Sequence, residues 1–301
     1  MTSTGPDPRP VVVGVDASDS ARDAAEWAAD LAAARRCPLH LVHVVPGYED
    51  DPAPPTPPQW LREVAAAAVR SGADATDTEV VSGAAERLLL DRAVGAAMLV
   101  VGSYGEAASS GMLAGHVGLA LVSHAPCPVA VIRGSAPQLP PPRSGPVVVG
   151  TDGSAAGVRT LDLGAEVALA AGAEVLAVHA FTDVSEAGGA LRRRHEGWGA
   201  IVADARAELD RVAAAAQERH PDVRIRCSVE EGTALRVLLD HAETARALVV
   251  GQRDQQAPAG EMLLGSTSRG LVEFAPCPVV VCPASAGRGA TTAASRAGAQ
   301  G

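Results

Sequence analysis

Two clusters of small residues have the composition of an anion site. One reads Gly102-Ser103-Tyr104-Gly105, then nine residues, then Gly115-His116-Val117-Gly118. The other reads Gly251-Gln252-Arg253-Asp254, then ten residues, then Gly265-Ser266-Thr267-Ser268. Small residues let backbone N–H groups approach a phosphate, and the start of a following helix adds unpaired donors and a favourable dipole. Asp16 and Asp152 close Val-rich runs elsewhere, where a carboxylate can accept from a hydroxyl or an amine. Taken singly, each of these features is also an ordinary tight turn.

The elements that must position these residues come twice. Val11-Val-Val-Gly-Val-Asp16 recurs as Val147-Val-Val-Gly-Thr-Asp152, and His43 recurs as His179, both 136 residues later. Leu99-Val-Val-Gly102 returns as Leu248-Val-Val-Gly251 at an offset of 149, and Ala125-Pro-Cys-Pro-Val129 as Ala275-Pro-Cys-Pro-Val279 at 150. A repeat of this length, in a chain of 301 residues, predicts two domains. Residues 11–135 form the first and 146–283 the second, joined by a Pro-rich spacer at 136–145. Residues 1–10 are expected to be flexible and 284–301 disordered.

Within the first copy, Val-rich runs at 11–15, 39–45, 78–81, 98–102 and 129–132 predict buried parallel strands. Helices are predicted from Ser18 or Ser20 to Arg36, from Pro58 or Gln59 to about Gly72, over 84–95 and over 112–124. The second copy repeats the order with a longer second helix that includes the basic run Leu191-Arg-Arg-Arg-His195. Each copy is therefore expected to be an α/β, doubly wound, five-stranded parallel sheet, and ligands in such sheets sit beyond the carboxyl ends of the strands.

Composition narrows the chemistry. The formal charge of −10 repels nucleic acid and anionic membranes, and no apolar run reaches the length of a membrane span. The five cysteines form no CxxC pair, and Cys277 and Cys282, five apart on one strand, point to opposite faces. They read as reduced, buried thiols of a cytoplasmic protein. His43, His179 and His124 read as satisfied structural groups, and no metal site is expected.

The combination of Val-Gly-Val-Asp, a second strand ending His-Val, the Gly-Ser-x-Gly, nine residues, Gly spacing and a closing His-Ala-Pro-Cys-Pro-Val resembles the universal stress protein family. The resemblance covers nearly all of both copies and implies a Rossmann-like fold of the adenine nucleotide alpha hydrolase type. It also implies ATP, with or without Mg2+, as ligand and a role in stress response. Carried over, the first site would comprise Gly14, Asp16, Val44, Gly102, Ser103, Gly105, Gly115, His116 and Val117. The second would comprise Gly150, Asp152, Ala180, Gly251, Arg253, Gly265, Ser266, Thr267 and Ser268. The resemblance further implies that the last strands, Val129–Ile132 and Val279–Cys282, pair the domains within one chain, and it admits a homodimer.

Each copy departs from the family pattern of Gly, two residues, Gly, nine residues, Gly, then Ser or Thr. The first has His116 and Gly118 in place of hydroxyls. The second keeps the hydroxyls but has Asp254 for the second glycine, with Arg253 beside it as a compensating charge, and one extra residue in the loop. The sequence has no Gly-x-Ser-x-Gly elbow, no His-Glu-x-x-His and no phosphate-loop lysine, so a non-catalytic nucleotide binder, or at most a slow ATPase, is expected. A ligand-free interaction scaffold is the alternative.

Overall fold

A computed structural model describes residues 7–47, 56–73, 75–105, 115–136, 139–181, 198–252 and 264–284. The first copy runs β1 (Val11–Val15), α1 (Asp19–Arg35), β2 (Leu39–Val45), α2 (Gln59–Arg70), β3 (Thr76–Ser82), α3 (Ala85–Ala93), β4 (Met98–Gly102), α4 (His116–His124) and β5 (Val129–Ile132). The second runs β6 (Val147–Gly150), α5 (Ala155–Ala171), β7 (Val175–Phe181), α6 (Trp198–Arg219), β8 (Ile225–Glu231), α7 (Ala234–Ala242), β9 (Ala247–Gly251), α8 (Ser266–Phe274) and β10 (Val279–Cys282).

The strands lie in the order β3-β2-β1-β4-β5-β10-β9-β6-β7-β8. Each copy is a parallel, doubly wound α/β unit, and the switch points fall between β1 and β4 and between β6 and β9. β5 and β10 run antiparallel, with Val131 opposite Val279 and Val129 opposite Val281, so two five-stranded sheets become one sheet of ten strands. Because the copies are antiparallel at this seam, the carboxyl ends of their strands face opposite ends of the sheet.

Local chemistry explains the elements. α1 starts where the Ser18 side chain accepts from the Ala21 N–H at 3.1 Å, and stops at Arg36, whose left-handed φ of 50° lets its N–H reach the last-turn carbonyls. Ala21, Ala24, Ala25, Ala28, Ala29 and Ala32 line its buried side, where small side chains allow close packing on the sheet. β3 is longer than its Val run suggested because polar Thr76 and Asp77 pair with Leu39 and His40 on this edge strand.

The core has two layers, one on each face of the sheet, and both cross the seam. One gathers α1, α2, α5 and α6, and the other gathers α3, α4, α7 and α8. On the first face Arg35 of α1 meets Glu166 of α5 at 2.9 Å. Described residues next to the first strand and in the spacer contact the domains. The Pro10 carbonyl accepts from the Ala97 N–H at 2.8 Å, and in the spacer Arg143 pairs with Glu26 at 2.7 Å while its carbonyl accepts from Arg246 at 2.6 Å. The basic run 191–195 and the tail from 285 lie outside the described residues, and α4 starts at His116, four residues later than the expected 112, because Gly115 before it takes an extended backbone.

Candidate functional site

In the first copy, β1, β4 and α4 converge. The loop after β4 is pinned at Ser103: its N–H donates to the Ser20 hydroxyl at 2.9 Å and to the Ile132 carbonyl at 3.0 Å, and its carbonyl accepts from the Gly115 N–H at 2.6 Å. Gly102 admits the first turn of α1, since a Cβ there would stand 2.5 Å from Ser20 Oγ. Gly105 lies against the Asp16 carboxylate, where a Cβ would stand 2.7 Å from Oδ2. Oδ1 of Asp16 accepts from the Ser18 N–H at 3.0 Å and the Ser18 hydroxyl at 2.5 Å, which fixes the carboxylate.

α4 opens at Gly115 without a side-chain cap, so its first-turn N–H groups face outward beside exposed His116. Val44 and Val117 pack on the α3–α4 layer of the core, which leaves their backbones as the polar part. Gly14 has a packing role: a Cβ there would meet Leu89 Cδ1 at 2.8 Å, so its small size admits α3 onto the strand. His43 bonds the Val15 carbonyl at 2.9 Å through Nδ1, which must carry the proton, and stands edge-on to Trp60 at 4.9 Å. It thereby steadies the turn that carries Asp16. Burial pushes the Tyr104 phenol above its usual value, and Asp19 and Asp23 add to that rise.

The second copy is built differently. Asp152 accepts from the Ser154 N–H at 3.0 Å. Burial raises its carboxyl, but Ser154, backbone N–H groups and His179 together hold it below the ordinary carboxylate value. His179 bonds the Thr151 carbonyl at 3.1 Å, matching His43. Gly150 makes room for Leu238 as Gly14 does for Leu89, and Ala180 packs on the core like Val44. α8 opens at Gly265 without a side-chain cap, with Ser266 exposed and Thr267 half-buried. Ser268 departs from its expected role: its hydroxyl is buried and donates to the Gly251 carbonyl at 3.0 Å, bracing α8 against β9. Arg253 and Asp254 lie outside the described residues.

The sequence profile described as the Universal stress protein family matches residues 8–133 and again residues 144–283. The chain belongs to this family. Universal stress protein Rv2623 of Mycobacterium tuberculosis is 34% identical over 289 residues, covering 90% of this chain and 95% of its own. Universal stress protein Rv2005c of the same organism is 34% identical over 287 residues, covering 90% and 96%. A universal stress protein structure from Archaeoglobus fulgidus has a TM-score of 0.65 at 19% identity, covering 92% of this chain and 98% of that one, and shows the shared fold.

Three side chains that hold the loops around the candidate site residues were not read from the sequence as site residues. Ser18 and Ser20 were visible as helix-cap candidates, but not as the braces of Asp16 and Ser103. Gln252 carried no signal at all, because its partner lies in the other copy. Among the described residues no group of three or more His, Cys, Asp or Glu is placed to hold a metal ion, and no helix is long and apolar enough to cross a membrane.

Proposed function

We propose that this chain binds an adenine nucleotide, with the first copy as the principal site, and acts as a regulatory protein of the stress response. The observation that carries the reading is the placement of Gly105 against the fixed Asp16 carboxylate, beside the uncapped start of α4. Such an arrangement offers a carboxylate for ribose or adenine and backbone donors for phosphates. Mg2+ accompanying the nucleotide would be held chiefly by the phosphates, since this ion takes few protein ligands when phosphate oxygens are present. In this reading the second copy binds more weakly, because Ser268 is spent on the Gly251 carbonyl.

Ligand exchange, not turnover, is the proposed cycle, and phosphate release from ATP is expected to be too slow to matter for the role. Pairing of β5 with β10 in solution is part of the proposal, and the family likeness and the two shared core layers support it. The test is to release ligand from the purified chain with acid and identify it by chromatography. An adenine nucleotide is expected from the native chain and not from Gly105→Val. If none co-purifies and millimolar ATP leaves the melting temperature unmoved, the ligand-free scaffold replaces this reading.

A further inference from the structure

Each copy's anion-facing helix is gripped at its far end by the other copy. The carbonyls of a helix's last turn have no partner within the helix. In α4, which opens on the first site, the Val122 carbonyl accepts from Gln252 Nε2 at 2.5 Å. Gln252 directly follows Gly251 in the second copy's loop, and its own N–H donates to the Cys282 carbonyl at 2.8 Å. In α8, which opens on the second site, the Val272 carbonyl accepts from Arg133 Nη1 at 2.6 Å and the Glu273 carbonyl accepts from Nη2 at 3.3 Å. Arg133 directly follows Ile132, whose carbonyl holds the Ser103 N–H of the first site's loop.

Val122 and Val272 occupy matching places in the two copies, 150 residues apart, but the groups that grip them do not match. Ser103 stands where the second copy has Gln252, and Pro283 stands where the first has Arg133. Both gripping side chains are buried, at 8% and 5% exposure, so water does not compete for these bonds. Burial also pulls the Arg133 guanidinium below its usual pKa.

We propose that these crossed bonds couple the two sites, with Gln252 as the positioning residue that carries occupancy of the first site to the loop of the second, and Arg133 as the returning arm. The inference rests on the nucleotide reading above. α4 has nine residues and is about 13 Å long, so a displacement of its start by bound phosphates is delivered to Val122 as a rigid unit. The Gln252 side chain bonds that carbonyl and its backbone belongs to the second loop. Coupling of this kind is reciprocal in binding free energy.

The experiment is amide hydrogen exchange on the full chain, with and without saturating ATP, in a Thr267→Glu background that closes the second site by placing a carboxylate among its phosphate donors. Exchange at the first site is expected to slow, and exchange of residues 250–252 is expected to slow by about fivefold or more, the lower end of measured site-to-site couplings. Adding Gln252→Met keeps the side-chain volume and removes the donor, so protection at 250–252 should vanish while protection at the first site, which also reports that the chain is folded, persists. Protection confined to the first site in the Thr267→Glu chain overturns the coupling and leaves the nucleotide reading standing. Protection at 250–252 that survives Gln252→Met overturns the assignment to Gln252. No protection anywhere overturns both.

Discussion

At the residue scale, Ser20 and Gly105 set how the loop after β4 sits against α1 and Asp16. The Ser20 hydroxyl is buried and accepts the Ser103 N–H, so Ser20→Ala should loosen the first site's loop and cost about 1 kcal/mol in stability, measured by denaturant unfolding. Gly105→Val forces its new side chain onto Asp16 and should weaken ATP binding at least about tenfold, or 1.4 kcal/mol, by calorimetry. The Gly102, Gly105 and Gly115 spacing, and separately the place of Asp16 after the first Val-rich run, were visible in the sequence because each is local to its own stretch of chain. Ser268 was not, since a hydroxyl at that spacing serves a phosphate or a neighbouring carbonyl equally well, and only the fold decides between them. Of the five cysteines read as buried, Cys227 is only half-buried and the other four are buried, and burial pushes the Cys127 and Cys277 thiols up to about 12. Neither should react with iodoacetamide at pH 8 in the native chain, and both should react once it is denatured, as counted by mass spectrometry.

Elements were read well where hydrophobic runs define them and less well where polar residues pair at an edge. β1, β2, β4 and β5 match their Val-rich runs, whereas β3 extends into Thr76 and Asp77, which periodicity alone does not mark as strand. Two strand glycines, Gly14 within β1 and Gly150 at the end of β6, allow α3 and α7 to pack onto the sheet. Gly14→Ala should therefore cost roughly 1–3 kcal/mol by crowding Leu89, read as a lowered denaturation midpoint with an unchanged slope. Arg92 of α3 grips Glu79 of β3 at 2.5 Å and holds that carboxyl below its ordinary value of 4.5. A depressed carboxyl contributes stability that is present above the unfolded value and is lost as pH falls through the folded one. The melting temperatures of the native chain and of Glu79→Gln should accordingly differ most near neutrality and converge as pH drops below 4.5.

Across the whole molecule, the repeat announces two copies of one domain but says nothing about how they differ as partners. The seam joins β5 to β10, and both core layers run through it, so separating the copies would expose strands that are fully buried. Each copy expressed alone should self-associate through that edge on size-exclusion chromatography with light scattering, and soluble monomers of both would contradict the pairing. The crossed bonds of Arg133 and Gln252 were invisible to self-comparison because they sit at non-matching places, and self-comparison finds only what the copies share. The copies are unequal in chemistry: the first fastens its loop internally through Ser20, and the second fastens its loop to its neighbour through Gln252. The most direct measurement of the central claim is calorimetric titration of the full chain with ATP, alongside Gly105→Val. Saturable binding that the substitution removes from the tighter site is expected. An absence of binding at millimolar ATP, or a tighter site that Gly105→Val leaves unchanged, would contradict the assignment of the first copy as the nucleotide site.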